Sequence, residues 1–141
     1  MIDDHSLSAA QLQELRAALD QVPFAKLLGI ELIAAGQGTA TLRVAITDDL
    51  RQIHGVMHGG AIASLLDTAT AFAIVPMMSP EEKFSTVDLM VNYLRPLRNG
   101  SATAQARVLR FGKRLITVAA DVLDDNGELA ATALSTYAKL G

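Results

Sequence analysis

Apolar positions along this chain recur with two different periods, and the switches between them mark its elements. From Ser8 to Asp20, Leu12, Leu15 and Leu19 return at helical spacing while Gln11, Glu14 and Arg16 stay polar. This predicts a surface helix that serves as packing over a core edge or as a pocket lid. Pro23 breaks the segment, and Phe24, Leu27 and Leu28 predict a short helical turn ending at Gly29. Beyond Gly29 the period drops to two. Ile30 to Ala35 and Thr39 to Thr47 predict strands joined through Gly36-Gln37-Gly38. In the second of them Ala40, Leu42, Val44 and Ile46 alternate with Thr39, Thr41, Arg43 and Ala45, as a sheet with one covered face requires. Asp48-Asp49 ends that strand, and residues 50–57 read as an irregular lead-in.

The stretch from His58 to Pro76, HGGAIASLLDTATAFAIVP, is apolar or small almost throughout, with Asp67 its one charge. A helix apolar on all sides belongs inside other elements. It reads as too short and too interrupted to span a membrane. At roughly 100° per residue, Gly60, Ala63, Ser64, Thr70 and Ala71 fall on the side of Asp67, and Ile62, Leu65, Ala69 and Phe72 fall opposite. Residues 77–83 read as an exposed loop. Strands are then predicted at Phe84–Leu94, Ser101–Phe111, Lys113–Leu123 and Leu129–Leu140, the last following the turn Asp124-Asp125-Asn126-Gly127. In the first of these, Thr86, Asp88, Met90 and Asn92 alternate with Val87, Leu89, Val91 and Tyr93, and Met90, Phe72 and Leu65 are assigned to the core. Short links predict antiparallel neighbours. Two helices cannot serve a doubly wound parallel sheet, which needs a crossover helix between successive strands. The predicted architecture is α+β, a curved antiparallel sheet of about six strands wrapped around the long helix.

Composition narrows the function classes. The 141 residues make one domain, with a helical segment at about 8–28 in front. That size is small for an enzyme enclosing its substrate unaided and favours an oligomer with a site between subunits. A net charge of −3 without a basic run gives no footprint for nucleic acid. Cysteine is absent, which excludes disulfides, thiolate nucleophiles and cysteine metal sites. The three histidines show no metal-ligand spacing, so no metal or other cofactor is expected. No phosphate-binding or dinucleotide glycine pattern is present either. The start, MIDDHSLSAAQLQ, has two acids and no basic region, which predicts no secretory signal and a cytoplasmic location.

The candidate chemistry lies on the long helix. A lone buried carboxylate costs several kcal/mol unless paired, hydrogen-bonded or protonated, which makes Asp67 a candidate for function; the plainer reading is an Asp satisfied by a neighbouring hydroxyl. Gly59 and Gly60 open the helix where backbone N–H groups lack internal partners, so a substrate carbonyl oxygen can approach closely. Gly60 and Asp67 share a face but stand about 10.5 Å apart along the axis, too far to act on one carbonyl. Two such helices running antiparallel across a twofold axis would bring the start of one beside the middle of the other, giving two composite sites per dimer. His58, Gln52 and His54 stand where each can reach the same carbonyl, and Thr86 where it can orient a water or Asp67. Ser64 lies on the small face. Arg95, Arg98, Arg110, Lys113 and Arg114 fall at strand ends, where they can meet phosphates of a large acyl carrier.

His58-Gly59-Gly60, Leu66-Asp67, Ser85-Thr86-Val87-Asp88-Leu89 and Tyr93-Leu94-Arg95-Pro96, with Gly112-Lys113 before a late strand, together resemble the hotdog-fold acyl-CoA thioesterases of the phenylacetate-degradation type. The resemblance covers roughly residues 20 to 140. It implies hydrolysis of acyl-CoA to free acid and CoA, with a glycine amide at the helix start holding the carbonyl and Asp67 supplied by the partner subunit as base or nucleophile. It also implies a homodimer, and two dimers joined as a homotetramer. Six places before His58, where the phenylacetate type often carries Asn, this chain has Gln52. That glutamine resembles a neighbouring branch acting on aromatic acyl-CoA and aryl-carrier thioesters, whose acid is usually Glu. Two other readings stand beside hydrolysis: a hydratase or dehydratase on the same fold, and a noncatalytic acyl-CoA binding module.

Overall fold

The computed structural model describes residues 6–141, and residues 1–5 of the leader reading lie outside it. Helix α1 (Ala9–Asp20) starts at a capping box: the Ser8 hydroxyl accepts from Gln11 N–H, and the Gln11 side chain accepts from Ser8 N–H. Its buried residues are Leu15 and Leu19. Helix α2 (Pro23–Leu28) begins on proline, whose missing N–H costs nothing in a first turn, and ends at Gly29 with φ of 81°. Strands β1 (Glu31–Gly36) and β2 (Thr39–Ala45) form the hairpin, and Asp48–Leu50 is a single 3-10 turn. Helix α3 (Gly59–Ile74) runs on into a 3-10 turn at Val75–Met77. Strands β3 (Lys83–Tyr93), β4 (Ser101–Phe111), β5 (Leu115–Leu123) and β6 (Leu129–Leu140) complete the chain.

The six strands form one antiparallel sheet in the order β1-β2-β4-β5-β6-β3. Sequential pairing therefore fails at one place. β3 and β4 are not neighbours, because residues 94–100 carry the chain from the edge beside β6 across to β2. The curled sheet wraps α3. Leu65, Leu66, Ala69, Ala73 and Ile74 are fully buried against Leu42, Ala102, Ala104, Ile116, Val118 and Ala120. Alanines on β4 and β5 let the helix backbone come close, and each buried Leu or Ile contributes about 1.5–3 kcal/mol. Gly59–Met77 has the length and mean hydropathy (1.5) to cross a bilayer, contrary to the reading from its length, but here it packs against the sheet, mainly over β2, β4 and β5.

One expectation about faces changes. Met90, assigned to the core, is 59% exposed on the outer face of β3, where strand alternation sets it with Asp88 and Asn92. Thr70, on the same side of α3 as Asp67, is completely buried.

Candidate functional site

The lead-in to α3 is held by Arg51, a residue the sequence did not single out. Its guanidinium donates to Gly55 O at 2.6 Å and to Arg98 O, and it pairs with Asp48 at 3.2 Å. Met57 N–H donates to Leu97 O and His58 N–H to Leu50 O, so the loops 50–57 and 97–99 are tied together before the helix begins. His58 is the N-cap, and its Nδ1 accepts from Gly60 N–H at 2.7 Å. That bond places the ring proton on Nε2. A side chain on residue 60 would start 2.9 Å from His58 Nδ1, so the cap depends on glycine there.

The consequence separates the two glycines. Gly60 N–H is committed to His58, whereas Gly59 N–H has no acceptor among the described residues. Gly59 is also fixed from its other side, because Tyr93 Oη donates to Gly59 O at 2.8 Å and its ring lies 3.3 Å from where a Cβ on Gly59 would stand. Gln52, Gly59, Tyr93 and Arg95 line a cavity of about 290 Å3 at this helix end. The Gln52 side-chain oxygen accepts from His54 N–H, and His54 is exposed on the tip of that turn.

Eight residues further along α3, Asp67 is half-buried and not alone. Thr86 Oγ1 donates to its Oδ1 at 2.9 Å, and the Tyr137 hydroxyl lies 3.1 Å from the same oxygen and 2.8 Å from Asp67 O. Tyr137 is in turn 2.6 Å from Thr70 Oγ1. Burial first, then the Asp67 charge, pushes the Tyr137 phenol up to about 12, against the opposing pull of the Thr70 bond. Of the two readings of Asp67, the geometry matches the plainer one, a carboxylate satisfied by a neighbouring hydroxyl, with Thr86 the donor. Tyr137 went unnoticed because its partner is 70 residues away in sequence.

Thr86 reaches Asp67 because of an irregularity no periodic pattern shows. The β3–β6 register slips between Thr86 and Asp88, a bulge at Val87. Thr86 therefore pairs with buried Tyr137 and shares the inner face with Leu89, Val91 and Tyr93, not the outer face with Asp88, Met90 and Asn92. Ser64 Oγ donates to Gly60 O at 2.8 Å along the same helix side. The basic residues divide between opposite ends of the sheet. Arg95 pairs with Glu128 near the start of α3, while Arg110, Lys113 and Arg114 lie at the β4–β5 hairpin, beside the start of β3. Among the described residues, no three His, Asp or Glu side chains are placed to hold a metal ion.

The sequence pattern of the thioesterase superfamily matches residues 54–131, which include both Gly59 and Asp67. The chain belongs to the hotdog-fold thioesterase superfamily. It is similar to the Saccharolobus solfataricus protein SSO1253, with 32% identity across 93% of this chain and 85% of that one. It is also similar to the medium/long-chain acyl-CoA thioesterase YigI of Salmonella typhimurium, with 29% identity over 82% of this chain and 84% of YigI. The structure of the Escherichia coli PaaI protein, from the phenylacetic acid degradation operon, superposes with a TM-score of 0.85 at 28% identity, covering 96% of this chain and 97% of PaaI. This chain is thus a hotdog-fold thioesterase, similar both to an acyl-CoA thioesterase and to a protein of the phenylacetic acid degradation operon.

Proposed function

We propose that this chain hydrolyses acyl-CoA thioesters at composite sites formed by two copies, with the carbonyl held at Gly59 of one and Asp67 supplied by the other. The observation that carries this reading is the division of labour along α3. The free Gly59 amide and the hydroxyl-held carboxylate are about 12 Å apart along the axis, so one chain cannot apply both to one carbonyl. Antiparallel α3 helices across a twofold axis bring them together. Support comes from β3, an edge strand with unpaired backbone on one side and an inner face that α3 leaves half open. On the outer face the paired neighbours Met90 and Leu134 are both exposed, which favours a further association of dimers into a tetramer.

In the reaction, Gly59 N–H, at the positive end of the helix, donates to the thioester oxygen as charge develops on it. Gln52, released from His54, adds a second donor, and His58 keeps the loop in place by occupying Gly60 N–H. Asp67 takes the proton of a water as its oxygen bonds to the carbonyl carbon, or itself attacks to form a mixed anhydride that water then opens. The C–S bond breaks in either route, and the departing CoA thiolate takes up a proton. Thr86 keeps the carboxylate aimed. The phosphates of CoA meet basic side chains outside the cavity, Arg95 from the Gly59 subunit and Arg110, Lys113 or Arg114 from a subunit running the other way. His54 and Ser64 border the approach.

Free-thiol release from a panel of acyl-CoA esters tests this reading. Asp67→Asn is expected to lower kcat by a factor of about 10³, a base or nucleophile being worth at least 10²–10⁴. Full activity in both Asp67→Asn and Asp67→Ala would remove the carboxylate from the chemistry. Reversible hydration of an enoyl-CoA without thiol release would instead assign a hydratase.

A further inference from the structure

A second cavity, of about 430 Å3, lies at the far end of α3 from Gly59, beneath α1. Its apolar wall is formed by Leu7, Leu15, Ala18, Val75, Met78 and Phe84, while exposed Glu14 and Glu82 stand among its polar lining. Nothing in the reaction at Gly59 and Asp67 uses it. Two elements nonetheless lead to it from Asp67. Along α3 and into the 3-10 turn that follows it, the half-exposed positions Asp67, Ala71 and Val75 are spaced four apart, and Val75 is part of the cavity wall. On β3, Phe84 stands two residues before Thr86 and so projects to the same inner face; its ring meets Tyr137 edge-on at 5.5 Å, and it too is part of the wall. Two residues of the cavity wall, Val75 and Phe84, therefore lie in line with Asp67 and Thr86 on the same two stretches of one subunit.

We propose that this cavity receives the end of an aliphatic acyl chain, and that the distance from Asp67 to it makes the enzyme selective for medium-length chains. The inference rests on the hydrolytic reading above. Asp67 and Val75 are separated by about 12 Å along the helix, which an extended chain of roughly eight to ten carbons spans. A butanoyl group ends short of the cavity, and so does the ring of a phenylacetyl group. The apolar wall gains from burying the terminal methylenes at about 0.8 kcal/mol each, while Glu14 and Glu82 turn away a chain that ends in a carboxylate. Helix α1 is thus a lid for the substrate's tail, supplied by the subunit that carries Asp67.

The test is a chain-length series, from butanoyl- to hexadecanoyl-CoA with phenylacetyl-CoA alongside, on the wild type and on Ala18→Trp and Val75→Phe, which fill the cavity from α1 and from α3. Wild-type kcat/KM is expected to peak at octanoyl or decanoyl. Either filled variant is expected to lose at least tenfold on decanoyl-CoA while staying within about twofold on butanoyl- and phenylacetyl-CoA, whose retained turnover doubles as the folding control. By calorimetry, either filled variant should also bind a non-hydrolysable decanoyl-CoA thioether at least tenfold more weakly than the wild type does, and the acetyl thioether equally well. An unchanged length profile in both filled variants, or an unchanged affinity for the decanoyl thioether, overturns the proposal even in an active enzyme. An inactive wild type that still binds the decanoyl thioether, and binds it less well once the cavity is filled, would instead sink the hydrolytic reading and leave the cavity assignment standing.

Discussion

The Tyr137 hydroxyl, 70 residues from Asp67 in sequence, is one of two groups that decide how that carboxylate is held. It has one proton to give, to Asp67 O or to Oδ1, and Thr70 completes its shell on the buried side. Tyr137→Phe removes the donor while keeping the ring and its edge contact with Phe84. The expected result is a loss of about 1–2 kcal/mol in stability. Because Thr86 alone then orients the carboxylate, a fall of about tenfold in kcat with little change in KM is expected as well. The same hydroxyl sets an alkaline limit. Below about pH 10 the folded and unfolded phenols are both protonated, so Tyr137 adds no pH dependence there. Between about 10 and 12 the unfolded phenol releases its proton and the folded one keeps it, so stability falls as pH rises. The two-unit raise corresponds to about 2–3 kcal/mol, lost across that window in wild type and absent from Tyr137→Phe; parallel denaturation series at pH 9 and 12 measure the difference.

At the scale of elements, the start of α3 makes a sharper test of the oxyanion donor than removing a side chain could. Gly59 is the first helical residue, a position where proline is favoured because its absent N–H has no intrahelical partner. His58 before it already has φ of −63° and ψ of 136°, the extended conformation that a following proline demands. Gly59→Pro is expected to fold and to lose 10²–10³ in kcat, the cost of one oxyanion donor. Gly59→Ala brings a Cβ to the same 3.3 Å from Tyr93 but keeps the N–H, and should lose no more than a few fold. Equal losses in both variants would assign the effect to the Tyr93 contact and not to the amide. The elements themselves were legible because each announces itself locally: Ser8 with Gln11 caps α1, the alternation through Leu42 and Val44 marks β2, and the unbroken apolar run marks α3. What stayed hidden were events that depend on a partner strand. The bulge at Val87 reverses which face Thr86 occupies, and only pairing with β6 reveals it. The commitment of Gly60 N–H to His58 likewise depends on a ring orientation that spacing does not encode.

For the whole molecule, the central question is why α3 is covered so unevenly. It packs mainly over β2, β4 and β5, and it leaves the inner face of β3 with Leu89 and Val91 only half covered. A long edge strand with open backbone and apolar inner positions invites a second chain, and in the reading above that chain is a copy bringing its own α3. Val91→Glu places a charge where the second helix would have to desolvate it, at a site that in one chain is still partly hydrated. The monomer should therefore keep its helix and sheet content by circular dichroism and lose only about 1 kcal/mol of stability, since Val91 is not a fully buried position. Its solution mass should fall to that of one chain, and thioester hydrolysis should fall by more than 100-fold, because each Gly59 amide has lost the Asp67 it works with. Restored turnover on mixing subunits that carry Asp67→Asn with others that carry Gly59→Pro, Val91 being kept in both, would add the complementary evidence. Such hybrids contain one site with both groups intact, whereas a site within one chain would have none. A folded Val91→Glu monomer that hydrolyses acyl-CoA at the wild-type rate would mean that a single chain brings amide and carboxylate together, and the antiparallel helix pair would lose its reason to exist.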